Sequence, residues 1–470
     1  MRYVGATPKP PDVKGGRRAH LENLKIAGRA DGQGSKAWLT VGWAAILGAG
    51  LGVSGLTATP ARAAGFYIQE QSARGAGRAY SGEAADAGVE SIWWNPAAIA
   101  RLRTPQAYVG GQAILVDAQV DDAGSTLQRP GRPLASVGGQ ARQSKPLQPG
   151  VAPSGGVAYP LGERFAVGLS VTAPFNFTNK YGGASWTRYD ALKSRVTDAN
   201  VEVVGAMRVS DRLDLGFGLD AQYASATLTQ ALPNLSPVAP DALQRLSGQG
   251  WAYGWDAGAQ YHAGDRLTLA ASYRSKIRHT LHGDISVAGL LGPLAGANLA
   301  AQGTATFNTP AMTTLGVRWR ATDRLWLNAQ VQRVGWSEFQ AITVDVAGAT
   351  QVTPQDYRST TTVALGVDYA LAPDWTLRGG VQRDPTPTPD ASRSTRVPDG
   401  DRWLFGVGAS HGLSNGATVE INADYIAFAK SRVNRNDVAF AGTPAATPVS
   451  LRGTVSGDAF VLGAGLNWRF

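Results

Sequence analysis

Long stretches of this chain alternate apolar and polar side chains with a period of two residues, which is typical of a β-strand with two different faces. In Leu213–Tyr223 the odd positions are Leu, Phe, Ala or Tyr, and the even positions are Asp, Gly or Gln. The same alternation recurs in Leu325–Gln332, in Thr361–Tyr369 and in the final stretch that ends at Phe470. Several runs reach about 9–11 residues, the length that a tilted strand needs to cross a bilayer. Strands of soluble proteins are shorter, at about 5–6 residues.

The two faces differ in a way that favours a membrane barrel over a β-sandwich. The apolar faces often end in Tyr, Trp or Phe, as in the aromatic girdles of outer-membrane barrels. The opposite faces carry Gly, Asn, Gln, Asp and Arg, which suits a lumen better than a packed core. We therefore predict an all-β protein, a transmembrane antiparallel β-barrel.

Short polar turns separate the predicted strands at regular intervals. Between two such turns there is room for two long strands and one longer loop, the asymmetry of bacterial outer-membrane barrels. The five intervals between the six turns hold ten strands, and two more strands are predicted before the first turn and two after the last. The total of about fourteen is an even number, as single-chain bacterial barrels require. The turns are 161–164, 210–212, 263–266, 322–324, 372–374 and 414–416, and the flanking strands lie near 106–120, 151–160, 417–431 and 456–470.

Composition excludes several other classes of protein. Charged residues make up 17% of the chain, against roughly 25% in soluble domains. The absence of Cys excludes a disulfide scaffold and a thiolate metal site. The net charge of +9 is concentrated in residues 1–63, which hold nine Lys or Arg and three Asp or Glu. Because no dense basic patch with interleaved aromatic residues is present, nucleic-acid binding is not expected.

Residues 1–63 are predicted to be an amino-terminal extension and signal peptide that is cleaved on export. The stretch Ala37–Thr59 carries no charged residue, and the PARA sequence that follows it fits the small-residue cleavage rule. A retained membrane anchor is the alternative, since the uncharged stretch is long enough to span a bilayer. Residues 1–36 form either a genuine leader region or an over-extended start of the reading frame.

Residues 64–105 precede the first predicted strand and do not alternate cleanly. They are too rich in apolar residues to be disordered and too long to be a frayed terminus. A lumen of fourteen strands would otherwise hold an aqueous channel. We therefore predict that residues 64–105 form a hatch, or plug, inside a barrel made by residues 106–470.

Two motifs in this segment carry a specific resemblance: GAGRAYSGE at 75–83 and NPA at 95–97. They resemble the hatch of the FadL-type outer-membrane transporters, which take up long-chain fatty acids and aromatic hydrocarbons. AGF at 64–66, GWAYGWDAG at 250–258 and the stretch 383–403 resemble other parts of that family. The resemblance implies a hydrophobic ligand path from the cell surface, rearrangement of the hatch, and lateral or periplasmic release. The hatch residues that match are Gly75, Gly77, Arg78, Asn95, Pro96 and Ala97.

The family's kinked strand, through which ligands leave sideways, corresponds to Phe165–Asn179 with Pro174 inside it. Proline cannot donate to a ladder, so it forces a bulge or gap in a closed barrel. If Pro174 instead lies beyond the membrane at a loop end, it has no such effect. Both positions are compatible with the sequence.

Two apolar stretches are candidates for capturing a ligand at the cell surface. The predicted loop Gly283–Gly303 contains Leu290, Leu291 and Leu294, and the predicted loop Leu232–Leu246 adds further leucines. Exposed apolar patches often mark binding sites. The alternative is that the two loops pack on each other.

The resemblance also implies where a carboxylate would bind. Fatty acid members hold it with basic residues inside the barrel, and one of those positions matches Arg358, while a second matches Ser225, where a fatty acid member has Arg. Arg358 could also be a simple cation at the rim. With Phe66 near the start of the mature chain, these residues complete the predicted ligand site. The missing cation leaves two substrate classes open: long-chain fatty acids or related lipids, and neutral aromatic or aliphatic hydrocarbons.

Trp468 and Phe470 end the last strand on one face, which resembles the signal read by the barrel-assembly machinery. The other expected partners are the hydrophobic ligand, outer-membrane lipid and lipopolysaccharide, and a monomer in the bacterial outer membrane is expected. No cofactor, metal or enzymatic activity is predicted, because His279 and His282 would point to opposite faces of a strand and nothing places a serine beside a histidine. A structural or adhesive barrel is the more distant alternative.

Overall fold

The computed structural model describes residues 65–470, and the predicted signal peptide and the residue Ala64 lie outside this part of the chain. Its strands form one antiparallel sheet. In chain order they are β1 (Gln106–Asp122), β2 (Thr126–Leu127), β3 (Ala135–Ser136), β4 (Arg142–Ser144), β5 (Gly150–Leu161), β6 (Phe165–Thr172), β7 (Phe177–Lys180), β8 (Lys193–Arg208), β9 (Leu213–Leu232), β10 (Ala242–His262), β11 (Leu267–Arg274), β12 (Ile277–Ala288), β13 (Leu299–Thr309), β14 (Met312–Arg320), β15 (Leu325–Val334), β16 (Ala341–Val346), β17 (Ala349–Pro354), β18 (Thr360–Ala372), β19 (Trp375–Asp384), β20 (Arg402–Gly412), β21 (Ala417–Ala439) and β22 (Thr447–Arg469).

The sheet closes on itself, because β1 pairs with β22 along its whole length, from Gln106 opposite Arg469 to Asp122 opposite Gly453. The result is a barrel of fourteen antiparallel strands, which confirms the predicted fold class. Five of the fourteen are interrupted and consist of two labelled strands each: β6 with β7, β11 with β12, β13 with β14, β15 with β16, and β17 with β18. The short strands β2, β3 and β4 extend the sheet at one end.

All six predicted turns connect neighbouring strands, which confirms the predicted connection pattern; β8, for example, ends at Arg208 and β9 begins at Leu213. The long connections were predicted too long. The links from β9 to β10 and from β12 to β13 are residues 233–241 and 289–298, so about half of the predicted apolar loops belongs to strands. The backbone stays paired there because β9, β10 and β12 continue together beyond the predicted ends.

The outer wall is apolar, as the alternation predicted. In β9, Leu215, Phe217 and Leu219 are exposed on the outside, while Asp214 and Asp220 are buried on the lumen side. Outward-facing tryptophans add aromatic surface to this band; they are Trp251, Trp255, Trp319, Trp375, Trp403 and Trp468.

Residues 65–105, called the amino-terminal segment below, fold into short helical turns. They comprise the helix α1 (Ala73–Ala76) and 3-10 helices at Glu83–Ala85, Val89–Ser91 and Pro96–Ile99; two further 3-10 helices lie at Gly292–Ala297 and Trp336–Glu338. The segment contacts strands all around the barrel, including β5, β9, β10, β14 and β20, so it lies inside the lumen. No helix among residues 65–470 is both long enough and apolar enough to cross a membrane.

Candidate functional site

Asn95 anchors the amino-terminal segment to the barrel wall. Its Oδ1 accepts a hydrogen bond from the N–H of Ala97 at 2.9 Å and so caps the 3-10 helix that begins at Pro96. Its Nδ2 donates to the carbonyl of Ala259 in β10 at 3.1 Å. The wall lies close, since a Cβ on Gly216 would be 2.3 Å from the nitrogen of Ala97. The NPA motif therefore caps a helical turn and docks it on the wall.

Gly77 marks a second close approach between the segment and the wall. A Cβ on Gly77 would lie 2.9 Å from the Cα of Gly408 in β20, and a Cβ on Gly408 would lie 2.8 Å from the Cα of Gly77. The two backbones touch, so a larger residue at either position would push the segment away. Gly75 instead faces the carboxyl group of Glu83, whose Cδ would be 2.9 Å from a Cβ there.

Arg78 is fully buried and organises an ion network in the blocked part of the lumen. Its guanidinium contacts the carboxylates of Glu83 and Asp86 in the segment and, at 2.9 Å, that of Asp368 in β18. Arg318 of β14 bonds the same Asp368 at 2.7 Å and also contacts Asp86. Removing one partner from such a network leaves buried charges uncompensated, which is strongly destabilising. The Arg78 network therefore holds the segment against the wall.

Arg274 of β11 organises a second buried network. It bonds Glu202 at 2.9 Å, Asp220 at 2.5 Å and Asp256 at 2.6 Å, and its guanidinium carbon lies 4.0 Å from the ring centroid of Trp93 in the segment. The three carboxylates are close enough together to share one ion. The guanidinium already bonds all three, so the arrangement joins wall to segment.

A cavity of about 800 Å³ opens between the segment and the long connections. Its volume lies within the range of ~300–1,000 Å³ that is common for small-molecule sites. The lining is mostly aliphatic and aromatic, and includes Phe66, Phe177, Leu228, Leu232, Leu246, Leu281, Ile285, Val287, Phe307, Phe339, Ile342, Val344 and Tyr357.

Phe66 closes the cavity on the side of the amino-terminal segment. Its ring centroid lies 5.0 Å from that of Trp336, 5.1 Å from Phe339, 5.7 Å from Phe175 and 6.2 Å from Phe177. Trp336 and Phe339 reach this cluster because they belong to the link between β15 and β16 and are buried. Segment, cavity and wall therefore meet at one aromatic side chain.

The wall is interrupted beside Pro174. The strand β6 pairs with both β5 and β8, whereas β7 pairs with β8. Among the described residues, Gly150–Ser154 of β5 therefore has no ladder with β7, although it pairs with β1 on its other side. Residues 172–179 are buried, because the chain turns into the lumen between β6 and β7. Pro174 thus lies in the interruption and not at a loop end.

The amino-terminal segment bonds to this interruption directly. The carbonyl of Pro174 accepts a hydrogen bond from the N–H of Ile68 at 2.7 Å. The side-chain Oε1 of Gln71 accepts one from the N–H of Ala173 at 3.0 Å. The residues that follow the cavity-lining Phe66 are therefore the ones that hold the kinked strand.

Glu70 lies between these two contacts. It is buried, and neither carboxylate oxygen has a hydrogen-bond partner among residues 65–470. Burial raises the pKa of Glu70 to about 7, with Arg402 opposing the shift and Asp384 adding to it. Asp424 of β21 is a further acidic neighbour.

Of the predicted ligand-contacting residues, Phe66 alone lines the cavity. Ser225 shares the outward parity of Tyr223 in β9, and Arg358 is exposed between β17 and β18. The expected carboxylate position formed by these two residues is therefore not in the cavity. Ser225 points outward because β9 alternates strictly. Arg358 is outside the cavity because, in the irregular link 355–359, Tyr357 is the buried residue that lines it.

The three leucines of the predicted surface loop separate into two groups. Leu290 and Leu294 are buried together with Ala242, which agrees with the packing alternative. Leu291 is 50% exposed, and Val238 in the neighbouring connection is 92% exposed. Surface capture by these two remaining side chains stays a prediction.

Trp468 and Phe470 lie on the outer face, with ring centroids 5.2 Å apart. The N–H of Phe470 donates to the carbonyl of Pro105 at 3.1 Å, so the chain end is tied to the residue before β1. Their role in assembly stays a prediction. His279 is buried and His282 is exposed, so the two histidines do point to opposite faces of β12.

Sequence reasoning missed two cations of the cavity wall, Arg396 in the link between β19 and β20 and Arg435 in β21. Arg435 lies 3.7 Å from Asp190. Arg396 donates to the Ser194 hydroxyl at 3.2 Å and to the Gln230 side-chain oxygen, and it forms no salt bridge with a carboxylate of residues 65–470. The resemblance of 383–403 to a family loop located this stretch but assigned it no ligand role.

The fold and the site define a transmembrane β-barrel whose amino-terminal segment contacts the wall on many sides and which carries an apolar cavity. The family model described as "Outer membrane protein transport protein (OMPP1/FadL/TodX)" matches residues 54–470. The chain belongs to this family, which confirms the resemblance seen in the hatch motifs. It is a protein of the bacterial outer membrane, and the family is one of transporters and channels.

Several known proteins are similar over most of their length. The long-chain fatty acid transport protein of Escherichia coli O6:H1 is 27% identical over 411 residues, covering 79% of this chain and 88% of that protein. Outer membrane protein P1 of Haemophilus influenzae is 25% identical over 410 residues, covering 79% and 87%. A Pseudomonas aeruginosa FadL homologue has a TM-score of 0.76 at 24% identity, covering 87% of this chain and all of that one. The Ralstonia pickettii toluene transporter TbuX has a TM-score of 0.59 at 20% identity, covering 84% and 97%.

Proposed function

We propose that this protein takes up long-chain fatty acids across the outer membrane. The observation that carries the proposal is an apolar cavity with one guanidinium, that of Arg396, that is not neutralised by a salt bridge to a described carboxylate. A fatty acid combines a long apolar chain with one negative charge, and the cavity offers a complement to both. The similarity to long-chain fatty acid transport proteins supports the same substrate class.

The charge of the ligand decides between substrate classes. A carboxylate that leaves water needs a charged partner, or it takes up a proton instead. Arg396 lines the cavity and is partly buried, so it can provide that partner. Arg435 is less suited, because it forms ion pairs with Asp190 at 3.7 Å and with Asp437 at 3.5 Å.

The proposed route out of the cavity leads past Phe66 to the wall interruption beside Pro174. Phe66, Phe175 and Phe177 stand between the two, and Phe66 and Phe177 line the cavity itself. A ligand that displaces Phe66 would pull on Ile68, which bonds the kinked strand. In this proposal the hatch rearrangement is confined to the first residues of the segment, and the Arg78 and Arg274 networks stay in place. Release is then sideways into the bilayer.

Uptake of neutral aromatic hydrocarbons is the second candidate function. The aromatic cluster of Phe66, Trp336 and Phe339 is an apolar surface on which an unsaturated ring could stack. Toluene transporters share the fold at 20% identity or less, which supports the architecture and leaves the substrate open.

Titration of purified protein with hexadecanoate, hexadecane and toluene separates the two functions. Arg396→Gln should weaken hexadecanoate binding about ten- to a hundredfold, because a hydrogen bond to a charged group is worth roughly 1.5–3 kcal/mol. Binding of hexadecane and toluene should change by no more than a few-fold. The matched control is Arg358→Gln, which removes an exposed charge outside the cavity.

Equal losses for all three ligands in Arg396→Gln would contradict the fatty acid proposal. So would tight binding of toluene by a protein that does not bind hexadecanoate. That second result would favour the hydrocarbon function.

A further inference from the structure

Three arginines on the outer wall are not explained by the transport route. Arg278 of β12, Arg333 of β15 and Arg358 between β17 and β18 are all exposed. Arg278 and Arg333 have the outward parity of their strands, since Ile277 and Val334 beside them are buried. All three belong to neighbouring parts of the sheet. The strand β12 pairs with β13, and β13 leads directly into β14. The strand β14 pairs with β15, which in turn pairs with β18.

Contacts between exposed side chains join the surroundings of these arginines into one patch. Arg333 donates to the Thr361 hydroxyl at 3.1 Å. The hydroxyls of Ser337 and Ser359 lie 2.8 Å apart, and Ser359 is next to Arg358 in the chain. Lys276, two residues from Arg278, bonds Glu338 at 2.8 Å, and Glu338 is next to Ser337. We call Arg278, Arg333 and Arg358 the outer basic patch.

The positive charges of the outer basic patch are not paired with acidic side chains of residues 65–470. Glu338 already neutralises Lys276. None of the three arginines forms a salt bridge with a carboxylate of the described chain. Three positive charges are therefore exposed in neighbouring parts of the sheet.

An apolar surface lies immediately below this patch. Arg333 of β15 pairs with Thr313 of β14, and Thr313 pairs on its other side with Tyr273 of β11, so the three residues lie at the same height in the wall. From that level toward the short turns, the outward side chains are apolar and exposed, with Leu315 at 55%, Val331 at 40% and Val363 at 45%. The wall thus changes from apolar to cationic within a few residues.

We propose that the outer basic patch binds the phosphate groups of lipid A, the acylated and phosphorylated glycolipid of lipopolysaccharide, while the apolar surface below it contacts the acyl chains. Arginine suits this role, because its planar donors match phosphate oxygens. The three arginines are exposed and do not line the cavity, so a small free anion would lack the apolar contacts that a lipid makes here. A lipid gains from both the charges and the apolar surface.

Lipid A binding to the full detergent-solubilised chain tests the proposal. The probe is diphosphorylated lipid A, compared with the same lipid after removal of both phosphates, and bound lipid is counted by native mass spectrometry. The triple variant R278Q/R333Q/R358Q should bind the diphosphorylated form roughly a hundredfold more weakly, since each basic residue near a charged lipid surface is worth about 1 kcal/mol. The control R164Q/R212Q/R324Q removes the same charge from exposed positions at the short turns. Heat-modifiable migration on gels verifies that both variants remain folded barrels.

Three outcomes would overturn the proposal. One is equal binding of both lipid forms by the unmodified protein. Another is an equal loss in the two triple variants. The third is displacement of lipid A by inorganic phosphate at the same concentration, which would show a free-anion site. Loss confined to R278Q/R333Q/R358Q and to the phosphorylated lipid supports it.

Discussion

The two halves of the lumen are built from opposite chemistry. In the blocked half, Arg78 and Arg274 bond carboxylates from both the segment and the wall. In the open half, the cavity is lined by aliphatic and aromatic side chains. Buried ion networks fix a geometry, because each charge needs its partners in place, whereas apolar contacts are less directional. The contrast separates a part that stays fixed from a part that can admit ligands of varied shape.

The largest expected effect comes from breaking the fixed half. Arg78→Met keeps much of the side-chain volume but leaves Glu83, Asp86 and Asp368 without their shared cation. Loss of one partner in a buried pair costs about 3–5 kcal/mol, so the segment should leave the lumen in a fraction of molecules. Planar-bilayer recordings should then show steady ion currents, whereas the unmodified protein should show little steady conductance. Arg164→Met at an exposed turn is the control, and closed channels in both variants would contradict the sealing role of the Arg78 network.

The boundary between the two halves should respond to pH through Glu70. In the docked segment the pKa of Glu70 is raised from 4.5 to about 7. Between these pH values the docked state keeps a proton on Glu70 that the undocked segment loses. Docking therefore weakens as the pH rises from 4.5 to 7. The difference amounts to a few kcal/mol, at about 1.4 kcal/mol per pKa unit. Hydrogen exchange at the amides of Ile68 and Ala173, corrected for intrinsic rates, should show more protection at pH 5 than at pH 8. Glu70→Gln should remove this dependence, and an unchanged pH profile in that variant would assign it to another group.

Truncating the open half should affect the ligand and leave the seal intact. Phe339→Ala removes a ring that lines the cavity and packs on Phe66. Burying such a side chain is worth roughly 1.5–3 kcal/mol, so hexadecanoate affinity should fall about ten- to a hundredfold. Conductance should stay at the level of the unmodified protein. Phe405→Ala, on the outer face, is the matched control, and a larger effect of that change would mean that the ligand binds elsewhere.

The smallest effect is expected at the surface above the cavity. Val238→Ser combined with Leu291→Ser removes two exposed apolar groups. Surface substitutions usually change stability by no more than about 0.5 kcal/mol, so thermal unfolding should be nearly unchanged. Uptake at limiting ligand concentration should fall a few-fold if these residues capture ligand. An unchanged rate of uptake would show that Val238 and Leu291 do not capture ligand, and that ligands enter at the rim of the cavity without them.

The strands and turns could be predicted because each depends on local sequence. Alternation fixes which side chains of β9 face the lipid, and turns such as that at 210–212 are short and polar. The hatch motifs were recognisable because close backbone contacts, such as that between Gly77 and Gly408, require particular residues.

The cavity cations could not be predicted in the same way. Arg396 reaches the cavity because its loop folds back into the lumen, where Asp190 accepts hydrogen bonds from Ser394 and Thr395. Such contacts join residues about 200 positions apart, and no local pattern encodes them. The link between β17 and β18 buries Tyr357 and leaves Arg358 exposed. This arrangement also depends on tertiary contacts and not on the local sequence.

The seam between β1 and β22 sets the order in which this protein can be built. It joins Gln106 to Arg469, so it forms only when the whole chain is available. The amino-terminal segment contacts strands on all sides of the lumen and bonds, through Pro105, to the last residue of the chain. The contacts of the segment are therefore complete only when the barrel has closed around it. Contacts between such distant residues make folding slow, and an unfinished barrel with two free edges needs protection until the seam is made.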